Sequence, residues 1–154
     1  MEKDSELLKY DCSEKILKRE LKKPVSSIPI ERLIKILTHS NLNHKLVDIK
    51  KHLNSLNIQA LGFRVREKLA ELPFLTKDIQ QKLVCDKFKS VRVILAKNPI
   101  ISEDLQILLF NDNELDVKFS LAKNIGLTES IQKKFILDSV GANSALAQNP
   151  NISE

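Results

Sequence analysis

VRVILAKNPIIS, Val91 to Ser102, is the stretch on which the fold turns, because the chain writes versions of it four times. Val65-Arg66, Leu69-Ala70, Pro73 and Leu75-Thr76 precede it. Val117-Lys118, Leu121-Ala122, Lys123-Asn124 and Leu127-Thr128 follow it, and Ala142 to Ser153 is a fourth copy. The anchors Val65, Val91, Val117 and Ala142 step by 26, 26 and 25 residues, and Asp86, Asp112 and Asp138 keep the same step between them. A period of this size marks a repeat array, in which one supersecondary unit cannot bury its own apolar face and does so by stacking on its neighbours. The expected fold is an all-α solenoid of short helical repeats.

Each unit reads as two helices. The first is about two turns long and starts after a capping-type residue: Ser90 before Val91, Asp116 before Val117, Gly141 before Ala142. Leu95 follows Val91 by four residues and so shares its face, and the small Ala96 permits close approach of the next helix. Asn98, Asn124 and Asn149 end these helices, with Pro99 and Pro150 unable to continue them. Asparagine tolerates the left-handed conformation that many helix ends require. Thr76, Ser102, Thr128 and Ser153 are expected N-caps of the second helices, with Glu103 and Glu129 favoured by the helix N-terminus. In the middle unit the second helix, Leu105 to Phe110, is apolar nearly all round, which predicts an interior position and a cost of ~2–5 kcal/mol for Leu108→Ala.

Ahead of the repeats, residues 5–23 predict an amphipathic helix with Ser5 at its N-cap and Leu8, Cys12, Ile16, Leu17 and Leu21 on one face, stopped by Pro24. A second helix is expected from Ile30 to about His39, burying Ile30, Leu33, Ile34 and Leu37, and a third from His44 to Leu53. Residues 54–62 are a link. The reading is one domain over 1–154, with a helical capping region over 1–62 and three and a half repeats over 65–154. The last copy, cut short at Glu154, reads as a half-repeat cap or a truncation.

The recurring V-R/K-x-x-L-A-K-N-P-x-x-S/T string, beside a helix of the form L-x-x-L-x-x-D, resembles the leucine-rich repeat variant family, helical repeats similar in style to HEAT arrays. The resemblance covers residues 65–154. It implies a right-handed stack of short helices and a binding rather than a catalytic role. Some members carry a cysteine cluster for an iron–sulfur centre ahead of the repeats; only Cys12 stands there in this chain, so no cofactor is carried over.

Composition agrees with packed helices: 42 % of residues are hydrophobic, drawn from Leu, Ile, Val and Ala, with three Gly and no Trp. The formal charge of +5 is uneven, since residues 1–99 hold 21 Lys/Arg against 12 Asp/Glu and residues 100–154 hold 4 against 8. A basic half attracts nucleic acid or an acidic protein, and charge alone does not choose between them. Cys12 and Cys85 form no CxxC or Cys/His metal spacing, the first fifteen residues lack an apolar signal core, and no run approaches a membrane span. These features predict a cytoplasmic protein with no membrane partner.

No catalytic constellation stands out. Cys85, in Lys82-Leu83-Val84-Cys85, is expected to be a small buried hydrophobe. His44 and His52 are eight residues apart, too far for a helical metal pair, and Gly62, Gly126 and Gly141 are isolated, so no phosphate loop exists. The Asp86, Asp112 and Asp138 ladder is expected to accept structural hydrogen bonds from the backbone or from the next unit's Arg or Lys. The candidate contact surface is cationic: Arg66, Arg92 and Lys118 follow the anchor valines, and Lys97 and Lys123 stand five residues further on. With units stacked at ~8–10 Å, these five residues would form one strip, and arginine forks suit carboxylate or phosphate. The expectation is a non-enzymatic protein-binding module, an adaptor or stoichiometric inhibitor such as an immunity protein neutralising a toxin, with an acidic protein as partner. Duplex phosphate-backbone binding is the alternative; the phenylalanines sit mostly at core positions, which disfavours single-strand stacking. No metal or small-molecule substrate is expected.

Overall fold

A computed structural model describes residues 24–39, 46–138 and 141–152 of the chain. Among these residues there are nine α-helices and no strand, so the fold is all-α. The chain divides into two compact bodies, Met1–Asp48 and Ile49–Glu154.

In the N-terminal body a 3₁₀ turn, Val25–Ser27, is closed by Ser27, whose N–H and Oγ donate to the Pro24 carbonyl at 2.9 and 2.8 Å. Helix α1, Ile30–His39, follows and buries Leu33, Ile34, Ile36 and Leu37 along the face that helical periodicity predicts, while Ile30 is only half-buried. The expected helix over 5–23, with Ser5 and Cys12, lies outside the described residues. Helix α2, Leu46–Ser55, runs two residues past the expected end at Leu53, while the expected start at His44 lies outside the described residues; Ile49 and Leu53 are its buried positions.

The C-terminal body repeats one theme. A 3₁₀ turn, Ile58–Ala60, occupies the link, and then come α3 (Phe63–Ala70), α4 (Lys77–Val84), α5 (Lys89–Lys97), α6 (Glu103–Phe110), α7 (Leu115–Ala122), α8 (Glu129–Leu137) and the single turn α9 (Asn143–Leu146). Alternate helices pack on one another: α3 on α5, α5 on α7 and α7 on α9, with α4 on α6 and α6 on α8. The anchors Val91, Leu95, Val117 and Leu121 are fully buried between first helices, as are Ala70, Ala96 and Ala122, whose small side chains allow the approach.

Helix α6 departs from expectation. Leu105 and Leu109 are buried, but Leu108 is 52 % exposed, because α4, α8 and the first-helix layer cover three sides and leave the fourth to solvent. The first helices also begin earlier than expected: Phe88 and Glu114, not Ser90 and Asp116, precede α5 and α7. Their N–H groups donate to Asp86 Oδ1 and Asp112 Oδ1, both at 2.9 Å, so each aspartate turns the chain into the helix two residues upstream of the expected cap.

The loop between the two helices of a unit is held by side chains from within it and from its neighbours. Asn98 Nδ2 donates to the carbonyls of Ala70 and Leu72 at 2.7 and 2.9 Å, while its Oδ1 accepts from Ile100 N at 3.2 Å. Asn124 repeats this on Ala96, Asn98 and Gly126, and Asn149 on Ala122, Asn124 and Asn151. The three asparagines are 2–5 % exposed. The expectation of a left-handed helix end is not met: Asn98 is extended (φ −74, ψ 121), and no non-glycine among the described residues has positive φ. Asparagine is needed here for its amide, which satisfies the orphan carbonyls at the end of the preceding unit's first helix.

A second ladder, missed in the sequence, runs through Gln80, Gln106 and Gln132. Gln106 Nε2 donates to Ile101 O at 3.1 Å and Gly126 O at 2.9 Å, and its Oε1 accepts from Thr128 N at 3.0 Å. Gln80 makes the same set to Leu75, Ile100 and Ser102, and Gln132 donates to Leu127 and Asn151. Their step of 26 residues was the available signal. These bonds also change the role of the expected N-caps: Thr76, Ser102 and Thr128 hold the cap position, yet their side chains make no cap bond, and Thr128 Oγ1 is buried without a partner among the described residues.

Candidate functional site

The five cations of the expected strip do not share one role. Arg66 is 2 % exposed and forks onto Asp86, Nε to Oδ2 at 2.5 Å and the second terminal nitrogen to Oδ1 at 3.1 Å, while its remaining nitrogen donates to the Leu61 carbonyl. Arg92 repeats the fork on Asp112 at 2.6 and 3.1 Å and also donates to the Asp86 carbonyl at 2.6 Å. Asp86 and Asp112 are therefore structural, as expected of the ladder, but each carboxylate is bound by the arginine of its own unit, and Arg92, the next unit's arginine, takes the Asp86 backbone carbonyl instead. Arg66 is withdrawn from any contact surface, and Arg92 is half-buried with its fork committed.

The pairing shows in the acid–base properties of the second fork. The hydrogen bond to Asp112 raises the Arg92 pKa above its ordinary value. Partial burial acts to raise the Asp112 carboxyl, but the Arg92 bond, the Glu114 N–H and attraction from Arg92 and Lys118 outweigh it and hold the pKa below the ordinary value. Lys118 is half-buried, with its ammonium 5.9 Å from the centroid of the Phe110 ring. Phe110 in turn meets the buried Phe135 edge-on at 4.8 Å. The phenylalanines are not all interior: Phe63 and Phe88 are 37 % and 39 % exposed and stack at 5.0 Å.

Lys97 and Lys123 behave differently. Both are exposed, and neither has an ion-pair or hydrogen-bond partner among the described residues. Each ends a first helix, where the dipole favours a cation. Together they border one groove whose floor is Phe119 and Ser120 and whose sides carry Pro99 and Ile125, the latter 53 % exposed. A second depression shares Phe119 and Ser120 and continues along Val93 and Ile94 to Lys89 and Asp116. There Lys89 is already neutralised: it bonds Asp116 at 2.9 Å and lies 3.5 Å from Glu114, and the Asp116 bond raises its pKa.

The groove belongs to two units only. One period before Lys97 stands Glu71, bonded to Lys68, and one period after Lys123 stands Gln148. The positions flanking Val93 and Phe119 are likewise polar, Glu67 and Ser144. Sequence reading found the two lysines but missed Phe119 and Ile125, because it sought what recurs.

Cys85 is exposed rather than buried; Leu83 and Val84 fill the interior positions before it, and Cys85 lies just past the end of α4. His52 is half-buried on α2, whereas Cys12 and His44 lie outside the described residues. Among the described residues, no cluster of three or more His, Cys, Asp or Glu side chains is placed to hold a metal, and no helix is long and apolar enough to cross a membrane. No family model, curated protein or solved structure matches the chain.

Proposed function

We infer that residues 63–152 form a short α-solenoid of the leucine-rich repeat variant style, acting without catalysis as an adaptor or stoichiometric inhibitor that binds another protein on its first-helix face. One observation carries the reading. The recurring polar residues are occupied in holding the units: the asparagine and glutamine amides on loop backbone, and Asp86 and Asp112 in arginine forks. In the middle units Lys97 and Lys123, which have no ion-pair or hydrogen-bond partner among the described residues, stand beside the exposed apolar Ile125 and so remain for a partner. Features that break a repeat while costing it nothing in stability point to binding.

The same distribution disfavours phosphate-backbone binding. Of the expected basic strip, Arg66 and Arg92 are held by carboxylates, and the surface lysines Lys77 and Lys89 face Asp104 and Asp116 at 2.9 Å. Tight duplex binding needs cations for several phosphates at once. The test is affinity capture from nuclease-treated and untreated lysate, with wild type beside Lys97→Glu/Lys123→Glu. A stoichiometric protein that survives nuclease and is lost with the double variant is expected. Recovery of nucleic acid alone, abolished by nuclease, would overturn the reading.

A further inference from the structure

The geometry points to a specific class of occupant for the Lys97–Lys123 groove: a short acidic peptide segment that carries a large apolar residue between its carboxylates. This rests on the protein-binding reading and narrows it.

The argument is one of charge and apolar complementarity. The cations at the groove rim are spaced one repeat apart, on the ends of α5 and α7, and among the described residues nothing neutralises either. Their counterparts Lys77 and Lys89, also reaching between neighbouring units, each close onto an aspartate of the next unit. Both of those lysines meet a carboxylate across units, and at Lys97 and Lys123 none stands among the described residues. A bound segment with carboxylates at both ends of its contact would complete the pattern. Between the lysines the floor is apolar, Phe119 with Ile125 and Pro99 beside it, so the centre of the segment must be apolar to displace water profitably from that floor. A nucleic acid backbone has the charge but not the apolar centre, and a wholly apolar helix would leave both ammonium groups desolvated and unpaired. Ser120, 9 % exposed on the shared floor, forms no hydrogen bond among the described residues and offers its hydroxyl to the segment's backbone or carboxylate.

The experiment uses the full chain and a fluorescein-labelled peptide of about twelve residues in which Glu alternates with small residues around a central Leu-Phe pair. Two control peptides replace the Glu residues by Gln and the Leu-Phe pair by Ser-Ser, and a DNA duplex of the same label is the fourth probe. Fluorescence anisotropy is expected to show saturable binding of the first peptide, weakened roughly tenfold or more in each control peptide. Lys97→Glu/Lys123→Glu and, separately, Ile125→Ser should each weaken it by a similar factor while keeping the wild-type melting curve, since all three positions are exposed. Lys97→Gln/Lys123→Gln serves if the reversal disturbs folding. Equal binding of the Gln-substituted peptide, equal binding by the groove variants, or preference for the duplex would each overturn the proposal. Failure of the peptide while a lysate protein is still captured through the same lysines would remove this ligand class and leave the protein-binding reading standing. Loss of both would remove both.

Discussion

The side-chain amide of Asn124 donates to the backbone carbonyl of Asn98 at 2.9 Å, and Asn98 is the residue that occupies the same place one unit earlier. Asn149 does the same to Asn124 at 2.7 Å, so the three residues form a chain of clamps running through the interior. Asn124→Ala would orphan the Ala96 carbonyl and the Gly126 N–H and leave the Asn98 carbonyl only the 3.4 Å bond from the Ile101 N–H, at about 1–3 kcal/mol for each buried group left unsatisfied. The expected total is at least about 2 kcal/mol in urea unfolding. Asn124→Asp should be worse than Asn124→Ala, because it sets a buried carboxylate against two carbonyl oxygens. Near-wild-type stability in either variant would show that the clamp does not hold the units together.

Leu108 and Leu109 are adjacent and chemically identical, yet one is 52 % exposed and the other fully buried. Leu109→Ala should cost ~2–5 kcal/mol, and Leu108→Ala under about 1 kcal/mol. Equal losses would place Leu108 in the interior after all.

At Gly126 a Cβ would lie 2.1 Å from the Pro99 carbonyl oxygen and 2.8 Å from its carbon, both backbone atoms that cannot swing aside. Gly126→Ala should therefore push neighbouring loops apart and cost ~1–3 kcal/mol. Gly62→Ala, where a Cβ meets nothing within 4 Å, is the control and should be close to neutral. A melting temperature unchanged by Gly126→Ala would rule out the close approach.

Because the folded-state pKa of Asp112 lies below its ordinary value of 3.8, the group favours the folded state fully above that value. The contribution is lost as pH falls below 3.8 through the lowered folded value; Arg92, its pKa raised, stays charged throughout. Urea titrations between about pH 6 and pH 2.5 should show wild type losing more stability than Asp112→Asn. Parallel pH profiles would mean that the fork contributes no such linkage. Removing one partner of the more buried fork, Asp86→Ala, should cost ~3–5 kcal/mol at neutral pH, since Arg66 would be left charged and enclosed.

The interior was legible from the 26-residue period, because helices that pack in the same way need the same apolar side chain at the same place: Val91 and Val117, Leu95 and Leu121, Ala96 and Ala122 all emerge fully buried. The aspartate ladder was legible for the same reason, and its structural role with it. The element starts were less so. A capping residue read one step at a time suggested Ser90 and Asp116, whereas the helix is turned from Asp86 and Asp112 by hydrogen bonds to Phe88 and Glu114.

Local sequence thus determined that the chain is helical, where most helices lie and most of the apolar residues that line the interior, Leu108 and Cys85 excepted, since these depend on spacing along one helix and on a period visible in one dimension. Tertiary structure decided the rest. Whether an arginine is a surface charge or a buried fork depends on a carboxylate twenty residues away, as Arg66 and Asp86 show. Which side of an all-apolar helix meets solvent depends on how many neighbours surround it, as Leu108 shows. That Lys97 and Lys123 share a groove floored by Phe119 depends on two units being laid side by side, and no spacing within either helix carries that information.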